Sequence, residues 1–283
     1  MKIVSYQHQG TSSYGFVIED AATGLSVIDH TALGLAAPDV AALIAGGELP
    51  DLSGLSGGVP LDEVTLLPPV EAAKILCAGV NFTDHREEAG RSAGRPAHPT
   101  IFARYADSLV GHGTPMLRDP AIERFDYEGE LAVVMGRPTY KVAASEAADH
   151  VFGYSCFDDG SARDWQFHSG QWIPGKNFYH SGAMGPWLVT ADEVGDLADL
   201  VLTTRVSGEV RQQAKLADMT FSVAELIEYV SAFTPLAPGD VIAAGTPGGV
   251  GEFSDPQRLL VPGDVVEVEI DRVGLLRNDV VAG

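Results

Sequence analysis

Short apolar runs broken by turn residues dominate the chain. Gly15-Phe16-Val17-Ile18 and Leu25-Ser26-Val27-Ile28 predict two strands around a turn at Ala22-Thr23-Gly24. Asp39 is placed to cap a helix over Val40 to Ala45, closed by Gly46-Gly47. A Pro pair, Pro68-Pro69, marks a boundary before the apolar run Ile75 to Val80. Further on, Leu131 to Met135, Val241 to Ala244 and Val265 to Ile270 are strand-like. Within Phe221 to Phe233, Val223, Leu226, Ile227 and Val230 recur at helical spacing. Pro238-Gly239-Asp240 and Pro262-Gly263-Asp264 predict two matching turns. Many short strands between turns predict a mostly β chain with some α, without internal repeats. The Pro pair divides it into a small N-terminal β-rich domain, residues 1–69, and a larger domain, residues 70–283.

Composition narrows the partners. Of 283 residues, 45% are hydrophobic, which excludes a disordered chain. Eighteen Lys and Arg face 39 Asp and Glu, a formal charge of −21. Such a chain lacks the basic footprint that nucleic acid or an anionic lipid surface requires. The two cysteines, Cys77 and Cys156, are too few for a disulfide scaffold and too far apart for a metal knuckle. The N-terminus turns polar within five residues, and no apolar run approaches the about 20 residues of a membrane span. These features predict a soluble cytoplasmic protein with reduced thiols.

Five clusters carry candidate chemistry. In Asp126-Tyr127-Glu128-Gly129-Glu130, the period of two in a strand points Glu128 and Glu130 the same way. Paired carboxylates on one face repel unless a cation lies between them, and oxygen ligands suit Mg²⁺, Mn²⁺ or Ca²⁺. Asp158-Asp159 ends the apolar run from Val151 and brings further carboxylates, either of which would complete an oxygen set. His85 and Glu88 are spaced i and i+3, the same face of a short helix that Thr83 or Asp84 would cap. A carboxylate that orients an imidazole makes a general base for water. Gly170 to Asn177 nearly matches a phosphate loop but lacks the hydroxyl after Lys176, and turn residues follow instead of a helix. That excludes nucleotide binding and leaves Lys176 as a cation for an anionic oxygen. Gly245-Thr246-Pro247-Gly248-Gly249 follows a strand and is either a plain tight turn or one whose N–H groups can nest an anion.

These clusters, in this order, resemble the fumarylacetoacetate hydrolase family. The resemblance runs from Ile75 to His85 through DYEGELAVVMG, DDGSARDWQ, PGKNF, GAMGPW and GDVIAAGTPGGVG to the closing PGDVVEVEID. It covers about residues 70 to 283 and only loosely the segment before. It implies a mixed β-sandwich roll and a homodimer. It implies a Mg²⁺ or Mn²⁺ site, with Ca²⁺ as a substitute, held by Glu128, Glu130 and Asp159, with Asp158 as a competitor for the third place. It implies catalysis by His85, Glu88 and Lys176, and substrate binding by Arg104, Gly245 and Thr246. Arg104 stands where many members carry Lys, and would grip a carboxylate bidentately. The implied reaction is hydrolysis of a carbon–carbon bond in an acylpyruvate-like diketo acid of aromatic catabolism. His85 would activate water, and a metal-bound pyruvate enolate would leave. The alternatives on the same site are decarboxylation of a β-keto acid such as oxaloacetate, or isomerisation of a hydroxydienoate.

Overall fold

Two mixed sheets pack face to face. The computed structural model describes residues 1–20, 24–92 and 94–283, so the turn expected at Ala22-Thr23 lies outside the described residues. The larger sheet runs in the order Val59–Pro60, Gly24–Asp29, Thr11–Asp20, Lys2–His8, Gly182–Thr190, Val151–Asp158, Gly129–Met135, Val241–Ala243, Ile75–Gly79, Thr100–Arg104. The smaller sheet orders Glu209–Lys215, Val201–Val206, Val265–Ile270, Gly274–Ala282 and Met116–Arg118. The N-terminal strands continue the larger sheet through the pairing of Lys2 with Val189 and Ile3 with Leu188.

The strand Gly129–Met135 is buried at every position, which its sequence explains. Leu131, Val133 and Met135 point into the core shared with Leu202, Val268 and Leu276 of the smaller sheet. Ala132 and Val134 point the other way, against Phe16, Leu43, Ile44 and Ala243. A strand covered on both faces reads as a continuous apolar run. Gly129 is required where the sheets approach: a β-carbon there would sit 2.0 Å from Thr204 Oγ1.

Local signals in the sequence are realised as specific bonds. Asp39 accepts from Ala42 N at 2.7 Å to open the helix Val40–Gly46, and Gly47 closes it at φ 72°. Ser222 and Glu225 form a reciprocal cap on the helix Val223–Phe233. The two Pro-Gly-Asp turns are built alike. Asp240 accepts from Ala237 N at 2.8 Å, and Asp264 from Val261 N at 2.9 Å. One expectation changes: the helix Thr83–Glu88 starts after Phe82 with no side-chain cap. Asp84 Oδ1 instead accepts from the adjacent His85 N at 2.7 Å.

Register brings the chemistry to one end of the larger sheet. Gly129–Met135 runs antiparallel to both neighbours, pairing Gly129 with Asp158 and Ala132 with Ala243. Val241–Ala243 in turn runs parallel to Ile75–Gly79. The start of one strand therefore meets the ends of three, and the chain segments beyond those ends carry His85, Asp159 and Thr246.

Candidate active site

Glu128, Glu130 and Asp159 converge at this end of the sheet. One oxygen from each lies within 4.8 Å of the others, and all three residues are buried. Backbone bonds hold them there. Asp159 N donates to Glu128 O at 2.9 Å, and Gly245 N donates to Glu130 Oε2 at 2.9 Å. Asp158 faces elsewhere. Its Oδ1 accepts from Glu128 N at 3.0 Å, its Oδ2 has no partner, and burial pushes its carboxyl up to about 7. Of the two aspartates, Asp159 is the one that sits with Glu128 and Glu130.

Three buried cations interleave with these acids. Lys176 Nζ lies 2.7 Å from Glu128 Oε2 and 2.6 Å from Asp159 Oδ2. Arg163 bridges Glu128 at 2.6 Å and Asp126 at 2.8 Å. Arg104 reaches Asp159 Oδ1 at 2.6 Å. Burial opposes ionisation of Glu128, but the charges of Arg163 and Lys176 overcome it and hold its carboxyl well below the usual range. Glu130 has no such partner. Burial and the charges of Asp159 and Glu128 push its carboxyl well above the usual range.

The donor set tests whether a metal ion belongs here. Glu128, Glu130 and Asp159 bring three buried carboxylates to one point. Glu130 has no cation of its own against it, and like charges crowded in a protein interior are costly. An oxygen-only donor set is that of Mg²⁺, Mn²⁺ or Ca²⁺. The residues fit such an ion.

A cavity of about 200 Å³ opens onto Glu128, Glu130, Lys176 and His85. His85 is 4% exposed, and its Nδ1 lies 2.7 Å from Glu88 Oε1. The other Glu88 oxygen accepts from Gly249 N at 2.8 Å, so the glycine-rich turn holds the carboxylate that holds the imidazole. That leaves Nε2 as the ring nitrogen available to the cavity. One wall is Trp172, packed edge-on to Phe102 and lying over Gly79. A β-carbon at Gly79 would fall 2.2 Å from the indole.

Three sequence-predicted residues have different partners from those expected. Arg104 does not line the cavity. Its guanidinium is held by Asp159, Gly160 O, Ser108 and Ser181, all buried. The Gly245 N–H goes to Glu130 rather than to a free anion site. Thr246 lines the cavity, but its hydroxyl donates to Gly129 O and accepts from Gln212. Sequence reasoning missed Asp126, Arg163 and Gln212, whose buried polar bonds span 37 and 34 residues of chain.

The fumarylacetoacetate (FAA) hydrolase C-terminal family matches residues 74–281. The chain belongs to this family. Among curated members it is 41% identical over 226 residues to the mitochondrial oxaloacetate tautomerase FAHD2A of Bos taurus, covering 79% of this chain and 71% of that protein. Among solved members it superposes on the fumarylacetoacetate hydrolase of Exiguobacterium antarcticum with a TM-score of 0.87 and 33% identity, over the whole of both chains. It superposes on the maleylpyruvate hydrolase of Sphingobium sp. SYK-6, solved with manganese(II) and pyruvate, with a TM-score of 0.81 and 31% identity, also over both whole chains. The family fold is the mostly β sandwich expected from the sequence. No described helix is long and apolar enough to cross a membrane.

Proposed function

We propose that this chain is a divalent-metal-dependent enzyme that interconverts the keto and enol forms of a small α-keto acid, with oxaloacetate as the simplest substrate. The observation that carries this reading is the placement of His85, held by Glu88, in the same small cavity as Glu128, Glu130 and Lys176. A cavity of about 200 Å³ lies below the usual range of roughly 300–1,000 Å³ for larger ligands and suits a four-carbon acid. The identity to oxaloacetate tautomerase supports the same choice. Glu128, Glu130 and Asp159 would hold the ion, which when bound supplies Lewis-acid polarisation of the keto group. His85 Nε2 takes the proton from the carbon beside the carbonyl. The electron pair left behind becomes the enolate, and a proton delivered to its oxygen completes the enol. Lys176 brings fixed positive charge to that developing oxyanion. Arg163 and Arg104 position the acids that surround it.

A second reading is carbon–carbon hydrolysis of an acylpyruvate, favoured by the full-length likeness to maleylpyruvate hydrolase. The same His85 would then take its proton from water. The test incubates the protein and Mg²⁺ or Mn²⁺ with oxaloacetate and a panel of acylpyruvates. Accelerated loss of the enol absorbance of oxaloacetate, with no CO₂ and no change in total acid, supports tautomerisation. Pyruvate with a second acid indicates hydrolysis, and pyruvate with CO₂ indicates decarboxylation. No acceleration of any of these refutes the enzymatic reading.

A further inference from the structure

The cations of the site are unequally engaged. Lys176 and Arg163 are tied to Glu128 and its acidic neighbours. Arg91 also lines the cavity, yet it is exposed and has no carboxylate partner among the described residues. Its guanidinium lies 5.6 Å from the centre of the Trp172 ring. A guanidinium over an indole is held by cation–π attraction, which leaves its N–H donors open to an anion.

Local sequence explains why Arg91 is there. Gly90, at φ 67°, ends the Thr83–Glu88 segment in a left-handed turn. Its N–H donates to Glu87 O, and Arg91 N donates to Arg86 O at 2.9 Å. These two bonds form the paired closure that sets the direction of the chain leaving a helix. The buried Arg86 then clamps the following carbonyls, Ser92 O at 3.1 Å and Gly94 O at 3.4 Å. His85 and Arg91 are thereby presented by one braced segment, the imidazole deep and the guanidinium at the Trp172 wall.

We infer that Arg91 is the specificity residue that binds the distal carboxylate of a dicarboxylic keto acid, so that the site selects diacids over monoacids. This rests on the reading of the cavity as a keto-acid site. It adds the second charge of the substrate, which Lys176 and Arg163 are not free to meet.

The experiment compares oxaloacetate with its distal methyl ester in the wild type, Arg91→Met and Arg91→Lys, with Mn²⁺ present. A charge-assisted hydrogen bond to the distal carboxylate predicts that the diacid-to-ester ratio of kcat/KM falls about 10- to 100-fold in R91M. The loss should lie mainly in KM, and R91K should recover part of it. An unchanged ratio, or equal loss on both substrates, overturns the inference. If the wild type turns over neither compound, calorimetric titration of malate with Mg²⁺ decides. Binding weakened about tenfold or more in R91M keeps the Arg91 assignment while the enzymatic reading fails. Equal binding to both proteins, or to neither, overturns the assignment.

Discussion

Replacing Glu88 with Gln isolates the orientation of the base from its presence. Glu88 uses both oxygens, one on His85 Nδ1 at 2.7 Å and one on Gly249 N at 2.8 Å. A glutamine has one acceptor and one donor at the same two positions. If its carbonyl faces His85, its amide meets the Gly249 N–H donor to donor, and that N–H is left unpaired. If the amide faces His85, it donates to Nδ1, so the proton moves to Nε2 and the cavity faces a donor in place of a base. The first arrangement costs about 1–3 kcal/mol of stability, a few degrees in Tm for a chain of this size. The second removes the positioned base, worth about 10²- to 10⁴-fold in rate. The expected outcome for E88Q is therefore a kcat lower by about 10²-fold or more, with divalent-ion binding retained because the three carboxylates are untouched. The assay is enol decay of oxaloacetate at saturating Mn²⁺, with calorimetric Mn²⁺ titration alongside. A kcat within about threefold of wild type, in a protein that still binds the ion, would refute the dyad.

Two further outcomes are expected. Mg²⁺ or Mn²⁺ at a hundredfold excess over its dissociation constant should stabilise the fold by about 2.7 kcal/mol, read as a rise in Tm. Glu130→Gln should remove most of that rise, and an equal rise in this variant would mean the ion binds elsewhere. In the N-terminal segment, burial works to raise the Asp29 carboxyl, but hydrogen bonds from Ser13, Thr31 and Tyr6 hold it well below the usual range. A folded-state pKa below the unfolded value of about 3.9 gives stability present above that pH and lost as pH falls through the folded value. Asp29→Asn should lower stability at neutral pH and flatten the acid limb of a urea-denaturation series carried from about pH 5 down to about pH 2. A parallel series for the two proteins would count against the network.

Much of the site was legible because its signals are local. The two glutamates meet as the alternation suggests, although Glu128 lies just before the strand Gly129–Met135 and not in it, and a spacing of three set His85 against Glu88. Asp39 and Gly47 bounded a helix through rules that act within one turn. The contacts that were not legible are long-range. Arg163 joins Asp126 across 37 residues and Gln212 joins Thr246 across 34, and no local pattern encodes either. Arg104 is expected to grip substrate because the family resemblance puts it where many members carry Lys, and a guanidinium can hold a carboxylate bidentately. Only the fold shows that Asp159, Ser108 and Ser181 surround it. The pairing of Lys2–His8 with Gly182–Thr190 is invisible for the same reason: the two strands lie at distant points of the chain.

The strand Gly129–Met135, covered on both faces, has a consequence for motion. Amides in such a strand exchange with solvent only when the whole molecule opens. The acids at its start share that rigidity. The six-residue helix that carries His85 has no side-chain cap, but the closure at Gly90 and the hold of Arg86 on Ser92 O and Gly94 O tie it down. The anionic cage is therefore set by the strand that opens last, and the base is held over it by a separate, locally closed segment.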